Sequence, residues 1–238
     1  MNILITGASR GIGRELINRY KGHQIYAVAR NIDNLKDIEN VYPIELDLLD
    51  FDRIKEVFSN LDVSFDLVIL NAGISLSHSN SFPSFEDLKK VFDVNFFSNH
   101  ILLEEILPKM KKGKIVFISS LASIVASPTS LAYSASKRAL NSYAQSLSGL
   151  VYPDMKVITI LPGFIKTDMT EKNNFYMPFL MELEEGVDRI IYAIEKEKAF
   201  YPFPKKFYYL IKLFSYLPQQ IKDKILQKIV NQDIINYN

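Results

Sequence analysis

The chain alternates between short runs of consecutive apolar residues and longer segments in which apolar residues recur at helical spacing. Six clear apolar runs and a weaker seventh occupy residues 3–5, 24–29, 42–46, 67–70, 114–118, 156–161 and 199–201. Near-continuous apolar runs are typical of strands that are buried on both faces of a parallel sheet. The pattern therefore predicts about seven strands in one sheet.

The segments between the runs predict helices. Residues 50–61 place apolar side chains at helical spacing, and residues 84–110 and 131–150 are each expected to form a longer helix that covers the core. Strands that alternate with helices from end to end are typical of an α/β fold. We expect a doubly wound parallel sheet with helices on both faces.

Composition narrows the classes of function. The 238 residues are 48% hydrophobic and 23% charged, which is typical of a globular protein. With 28 Lys and Arg against 27 Asp and Glu, the net charge of +1 gives no reason to expect nucleic acid as a partner. The chain has no cysteine, and His23, His78 and His100 lie far apart, so we expect no metal site.

The two ends of the chain differ in character. The first strand starts at the N-terminus, and no apolar run approaches the roughly 18 residues of a spanning helix, so we expect a cytoplasmic protein.

Residues 1–203 are predicted to form one domain. Residues 204–238 carry six lysines and two aspartates, a net charge of +4 that leaves −3 for the rest. The aromatic segment 205–217 predicts a basic helix that either packs on its own domain or a partner subunit, or lies on a membrane surface.

A glycine-rich loop follows the first strand and opens the first helix. Its sequence is Thr6-Gly7-Ala8-Ser9-Arg10-Gly11-Ile12-Gly13. Glycine allows a tight strand-to-helix turn and the close approach of a phosphate, which the N–H groups of the helix N-terminus can bind. The loop therefore predicts a dinucleotide site.

The Gly-x3-Gly-x-Gly spacing resembles that of the classical short-chain dehydrogenase/reductase family, and the likeness extends to about residue 170. It implies a Rossmann-like fold and an oxidoreductase that interconverts a carbonyl and an alcohol on a small molecule. It also implies a homodimer or homotetramer. Each role that the family implies is assigned to a residue of this chain only where that residue matches a family motif.

The end of the second strand indicates which nicotinamide cofactor is used. Enzymes that select NAD commonly place an acidic residue there, on the ribose 2′-hydroxyl. Here the strand ends at Arg30, and no acid follows before Asp33. Arg30 and Arg10 can hydrogen-bond a 2′-phosphate through their guanidinium groups. In the family, basic residues at both places imply NADP(H).

The resemblance assigns further cofactor contacts to residues after strands three, four and six. With the glycine loop and Arg30, the expected set is Gly7, Ser9, Arg10, Gly11, Ile12, Gly13, Asp47, Leu48, Asn71, Ala72, Gly73, Tyr133, Lys137, Pro162, Gly163, Ile165 and Thr167. Taken alone, Asp47 fits a helix cap equally well.

Five Tyr-x3-Lys pairs occur, so this spacing alone selects none of them. The pairs are Tyr133/Lys137, Tyr152/Lys156, Tyr192/Lys196, Tyr201/Lys205 and Tyr208/Lys212. The family places a serine thirteen residues before its tyrosine, and only Tyr133 has one, Ser120. Residues four apart share a helix face, so we expect the Lys137 ammonium near the Tyr133 phenol, where it would lower the phenol pKa.

The resemblance gives these residues roles. Tyr133 would donate a proton to the carbonyl oxygen that Ser120 holds, and Lys137 would bind the nicotinamide ribose. Asn95 matches the asparagine that holds a water in the proton relay. The alternative for Asn95 is a mid-helix asparagine that bonds locally.

The segment over the substrate is expected to be residues 168–182. Its apolar side chains predict a hydrophobic substrate; they are Phe175, Tyr176, Met177, Phe179 and Leu180. Two alternatives remain, a catalytically silent NADP-sensing regulator and a sugar-nucleotide epimerase or dehydratase of the extended subgroup. The first predicts an eroded catalytic set, and the second predicts a longer chain with another glycine spacing.

Overall fold

The computed structural model describes residues 1–76, 82–126, 128–171 and 176–235. His78 and Phe175 lie outside the described residues.

Seven parallel strands form one sheet in the order β3-β2-β1-β4-β5-β6-β7. The strands are β1 Asn2–Thr6, β2 Gln24–Ala29, β3 Val41–Glu45, β4 Leu67–Leu70, β5 Gly113–Ile118, β6 Met155–Pro162 and β7 Phe200–Phe203. The chain winds outward from β1 to β3 and then returns to continue from β4 on the other side. The predicted doubly wound sheet is confirmed, and its order reverses between β1 and β4, where such folds bind ligands.

Helices cover both faces of the sheet. They are α1 Gly11–Arg19, α2 Phe51–Asn60, α3 Phe85–Phe92, α4 Ser98–Ile106, α5 Leu131–Val151, α6 Leu183–Glu195, α7 Lys205–Ser215 and α8 Gln219–Ile235. Because side chains alternate along a strand, Ile3 and Ile5 pack with α1 and α6, while Leu4 packs with α2, α4 and α5. Apolar cores on both faces explain why the strands are apolar throughout.

The segment predicted as one helix over 84–110 is helical from Phe85 to Lys109, so the prediction is confirmed, although the helix is not a regular α-helix throughout. A π-helical turn at Asp93–Phe97 separates α3 from α4, and a 3-10 turn at Leu107–Lys109 follows. A π turn inserts one extra residue without interrupting the helix, which leaves the apolar periodicity on either side nearly unchanged. The turn matters because it contains Asn95.

Both edge strands contain a proline. Pro43 lies in β3 and Pro202 in β7. The Leu46 nitrogen donates to Ala29 in β2, and the Phe203 carbonyl accepts from Gly163 after β6. Because successive residues of a strand point their backbone groups to opposite sides, the nitrogens of both prolines face away from the sheet.

The C-terminal residues form two helices. α7 begins directly after β7, and α8 lies against the 3-10 turn Pro128–Ser130. Within the described ranges, no helix is both long enough and apolar enough to cross a membrane.

Candidate active site

One cleft of about 810 Å³ opens at the carboxyl edge of the sheet. Residues after β1 to β6 line it, together with α5 and α7. The carboxyl ends of parallel strands all lie at one edge, which is why segments distant in sequence meet here. Every residue of the expected cofactor set except Gly13 lines this cleft, and so do Ser120, Tyr133 and Lys137.

The glycine loop is packed too tightly for side chains. Gly7 has φ +68°, and a Cβ added to it would lie 2.9 Å from the Ala72 Cα. A Cβ on Gly13 would lie 2.2 Å from the Gly7 oxygen. Gly13 therefore packs against the backbone of the loop and does not line the cleft. The N-terminus of α1 has no side-chain cap, so its N–H groups are available to an anion. This arrangement fits a dinucleotide phosphate.

Residues 71–73 hold the glycine loop in place. The Asn71 side-chain amide donates to the backbone oxygens of Thr6 at 3.0 Å and of Gly7 at 3.2 Å. The Thr6 hydroxyl in turn accepts from the backbone nitrogens of Asn71 and Ala72. The segment therefore shapes the end of the sheet through its own hydrogen bonds, and its remaining surface lines the cleft.

The two arginines expected at the 2′-phosphate have different surroundings. Arg30 is exposed at the end of β2 and makes no ion pair with a described residue. Arg10 forms an ion pair with Asp168 at 3.0 Å, with both side chains more than half exposed. Asp168 was not among the expected site residues, although it directly follows Thr167, the last residue of the segment expected at the nicotinamide.

Asp47 stabilises a turn rather than a helix end. Its carboxylate accepts from the Leu49 backbone nitrogen at 3.0 Å. The N-cap of α2 is instead Asp50, whose carboxylate accepts from the Arg53 nitrogen. The helix-cap alternative for Asp47 is therefore wrong, and both Asp47 and the buried Leu48 face the cleft.

Ser120, Tyr133 and Lys137 come together, as predicted. Ser120 follows β5, and its hydroxyl lies near enough to the Tyr133 phenol to lower the pKa of that phenol. The Lys137 ammonium donates to the Ile118 backbone oxygen at 2.8 Å and lies 5.9 Å from the centre of the Tyr133 ring. Lys137 is only 3% exposed, so this cation is held in the wall of the cleft.

Burial distinguishes this pair from the other Tyr-x3-Lys pairs. Three other pairs also place the lysine over the tyrosine ring, at 5.3 to 5.9 Å; they are Tyr152/Lys156, Tyr201/Lys205 and Tyr208/Lys212. The lysines at 156 and 205 are exposed, whereas Lys137 is buried beside a cleft. Stacking is thus a consequence of the spacing, and burial is what makes one pair chemically distinctive.

The pKa of Tyr133 is shifted in the direction opposite to the one expected. Burial raises the phenol pKa above its usual value, and the nearby Ser120 hydroxyl only partly opposes this. The predicted acidification by Lys137 is therefore wrong for the cofactor-free protein. Burial also lowers the pKa of Lys137 to about 8, which weakens its cationic character.

Asn95 is buried in the π turn and bonds to two other segments. Its side-chain oxygen accepts from the Ile74 nitrogen at 2.8 Å, and its amide donates to the Ile74 oxygen and the Ser136 hydroxyl. A Cβ on Gly73 would lie 3.3 Å from the Lys137 ammonium and 3.4 Å from the Asn95 oxygen, so the three residues adjoin. Asn95 connects the segment after β4 to the helix that carries Tyr133.

An apolar wall faces the catalytic candidates. Its members are Phe164, Tyr176, Pro178, Phe207 and Ile211. Phe207 lies 5.9 Å from the Phe164 ring and 5.6 Å from the Phe179 ring. Sequence reasoning assigned Phe207 and Ile211 to the tail, yet their four-residue spacing on a helix that follows a strand end could have indicated a shared inward face.

The buried cation gives a test of the site before any cofactor is added. Changing Lys137 to methionine should raise the free energy of unfolding at pH 7 by roughly 1–3 kcal/mol, because a buried charge costs stability. Between pH 8 and 10.5 the unfolded chain binds more protons than the native one, so the stability of the unmodified protein rises with pH there. The gain from the substitution should therefore shrink at pH 10, as measured by urea unfolding at both pH values.

The matched control is Lys156→Met, which removes an exposed lysine of another Tyr-x3-Lys pair. This control should change stability by less than about 0.5 kcal/mol. Equal destabilisation by Lys137→Met at both pH values would contradict the interpretation of Lys137 as a costly buried cation.

Comparisons with known proteins agree with this geometry. The family model described as short chain dehydrogenase matches residues 1–176. An uncharacterized oxidoreductase of Myxococcus xanthus is 31% identical over 243 residues, covering 95% of this chain and 96% of that protein.

Two solved structures carry different cofactors. A 4-hydroxyisoleucine dehydrogenase mutant complexed with NADH and succinate has a TM-score of 0.76 at 28% identity, covering 85% of this chain and 96% of that one. A short-chain dehydrogenase from Burkholderia cenocepacia J2315 in complex with NADP has a TM-score of 0.81 at 24% identity, covering 94% and 97%, a likeness of fold. This chain thus belongs to the short-chain dehydrogenase family, whose members are oxidoreductases that use a nicotinamide cofactor on alcohol or carbonyl groups.

Proposed function

We propose that the protein is an NADP(H)-dependent oxidoreductase that interconverts a carbonyl and an alcohol on a hydrophobic substrate, with Tyr133 as the general acid and base. The observation that carries the proposal is one cleft that Ser120 and Tyr133 line together with a buried Lys137. An uncapped helix N-terminus and two arginines line the same cleft.

The chain's own residues account for cofactor binding. The α1 N-terminus would hold the pyrophosphate, and Arg30 with Arg10 would hold the 2′-phosphate. Lys137 would bind the nicotinamide ribose, and the segment from Pro162 to Thr167 would hold the carboxamide. When bound, the nicotinamide supplies or accepts the hydride.

The raised pKa of Tyr133 suits the phenol to act as a proton donor. A phenol that stays protonated at neutral pH can donate its proton to a carbonyl oxygen while the carbonyl carbon accepts the hydride. In alcohol oxidation the same oxygen would accept the proton, so Tyr133 can serve both directions.

Ser120 and Asn95 assist in different ways. The Ser120 hydroxyl can donate to the same carbonyl oxygen, where negative charge develops as hydride arrives. The side chain of Asn95 is occupied by Ile74 and Ser136. We assign Asn95 to positioning the helix that carries Tyr133, with a water of the proton relay held beside it.

The apolar wall sets the substrate class. Assays of NADPH absorbance against apolar ketones, aldehydes and quinones should find turnover, with bulky apolar compounds preferred over small polar ones. No NADPH consumption with any of these classes would contradict the proposed reduction.

Shortening Phe207 tests the wall directly. Phe207→Ala should raise KM for an aromatic ketone about tenfold or more with a smaller change in kcat, because it removes apolar contact that the bound substrate and transition state share. Phe200→Ala is the control, since Phe200 is half exposed at the start of β7 and lies away from the cleft. Equal effects of the two substitutions would remove Phe207 from the substrate site.

A further inference from the structure

The outer face of α7 is apolar and exposed. Tyr209, Leu210, Leu213 and Tyr216 are 60%, 58%, 68% and 74% exposed, and their spacing places them on one side of the helix. The opposite side is used by Phe207 and Ile211, which line the cleft. The protein itself therefore covers only one of the two apolar sides of α7. Exposed apolar side chains that cluster on a surface mark an interaction site.

Lysines lie within and beside this outer face. Lys205 and Lys206 are exposed at the start of α7, and Lys212 flanks the face about two turns after Lys205. At 100° per residue, Lys206 lies in line with Leu210 and Leu213, while Lys205 and Lys212 lie on one border. α8 adds Lys222, Lys224 and Lys228, so residues 204–238 carry +4 while the rest of the chain carries −3.

The outer face lies beside the entrance of the cleft. α7 follows the carboxyl end of β7, the edge at which the cleft opens. α8 lies against the turn Pro128–Ser130, which contributes Thr129 and Ser130 to the cleft lining. Tyr176, also in that lining, is 87% exposed. A surface that contacts the outer face would therefore also adjoin the route into the cleft.

We infer that the outer face of α7 and its lysines dock on an anionic membrane surface. A basic helix with an exposed aromatic and aliphatic side is suited to lying in the interface plane, with lysine ammonium groups at the headgroups. A second copy fits less well, because two segments of +4 would repel each other across a shared contact. Delivery of an apolar carbonyl compound from the membrane rests on the proposed function, whereas the docking itself does not.

Co-sedimentation with vesicles tests the inference on the full chain without cofactor. The protein should sediment with vesicles of phosphatidylcholine containing 30% phosphatidylserine, and weakly with pure phosphatidylcholine. Lys205→Glu with Lys206→Glu should weaken binding at least tenfold, because each lysine near an anionic surface contributes about fivefold. Leu210→Gln with Leu213→Gln should weaken it by a similar factor through lost apolar contact.

Each double variant has a control at the opposite edge of the sheet, a double one for the lysines and a single one for the leucines. Lys111→Glu with Lys112→Glu makes the same charge change at two exposed lysines before β5, and Leu150→Gln removes a leucine that is 81% exposed at the end of α5. Both should leave vesicle binding within twofold. NADPH binding should stay unchanged in every variant, which separates this test from failure of the proposed function.

Two results would overturn the inference. The first is absence of the intact protein from the anionic vesicle pellet. The second is equal binding to both vesicle types. If the first result came with a fall in oligomer mass on light scattering for the leucine variant, the outer face would be identified as a contact between copies.

Discussion

Replacing Tyr133 with phenylalanine should lower kcat for carbonyl reduction by about a thousandfold, the typical loss when a general acid is removed. The ring and its contacts remain, so the Kd for NADPH, measured by the fluorescence of the bound cofactor, should stay within about twofold. The loss appears in kcat because the phenol proton is needed in the transition state.

Tyr152→Phe is the matched control for this change. Tyr152 has the same spacing to Lys156 and a similar lysine-to-ring distance, yet it is 70% exposed at the far end of α5. Turnover by this variant should be unaffected. If Tyr133→Phe retained turnover, Tyr133 would not be the acid, and the proposed chemistry would need another proton donor in the cleft.

Replacing Arg30 with alanine should raise the Kd for NADPH about 10- to 100-fold and leave the Kd for NADH within twofold. The guanidinium would make charge-assisted hydrogen bonds to the 2′-phosphate, which NADH lacks. Titration of both cofactors by fluorescence measures the difference. Arg189→Ala serves as control, because Arg189 pairs with Glu185 on α6.

Arg10→Ala should have a smaller effect than Arg30→Ala. The Arg10 guanidinium forms an ion pair with Asp168 at 3.0 Å. Because Arg10 must break this ion pair to bind the 2′-phosphate, its net contribution to the free energy of NADPH binding is smaller. Equal weakening of NADPH and NADH by Arg30→Ala would contradict the preference for NADP(H).

The strands were predictable because apolar runs carry the information directly. Val68 and Ile69 are buried on opposite faces of the sheet. A run of consecutive apolar residues can be buried in a strand only when both faces of the sheet are covered. The proximity of Ser120 to Tyr133 was expected from the family resemblance, and in the fold the carboxyl end of β5 and the start of α5 meet at one edge. The first expectation depends on local pattern, and the second depends on the match to the family motif.

What could not be predicted depends on burial depth and on the partners of individual atoms. The π turn at Asn95 adds one residue without changing the apolar spacing on either side, so this irregularity within residues 84–110 was not visible in the sequence. The raised pKa of Tyr133 requires knowing how much protein surrounds the phenol. The same holds for Phe207, because an apolar position on a helix does not reveal which cavity lies beneath it.

The ring-closed nitrogens of Pro43 and Pro202 have a consequence for how this protein can associate with itself. A strand from another molecule needs outward N–H groups to extend the ladder, and each border of the sheet lacks one in its middle. Growth of a continuous sheet from one molecule into the next is thereby disfavoured, which protects concentrated solutions from strand-by-strand polymerisation. Contacts through side chains of helices and loops are therefore the favoured way for copies to assemble.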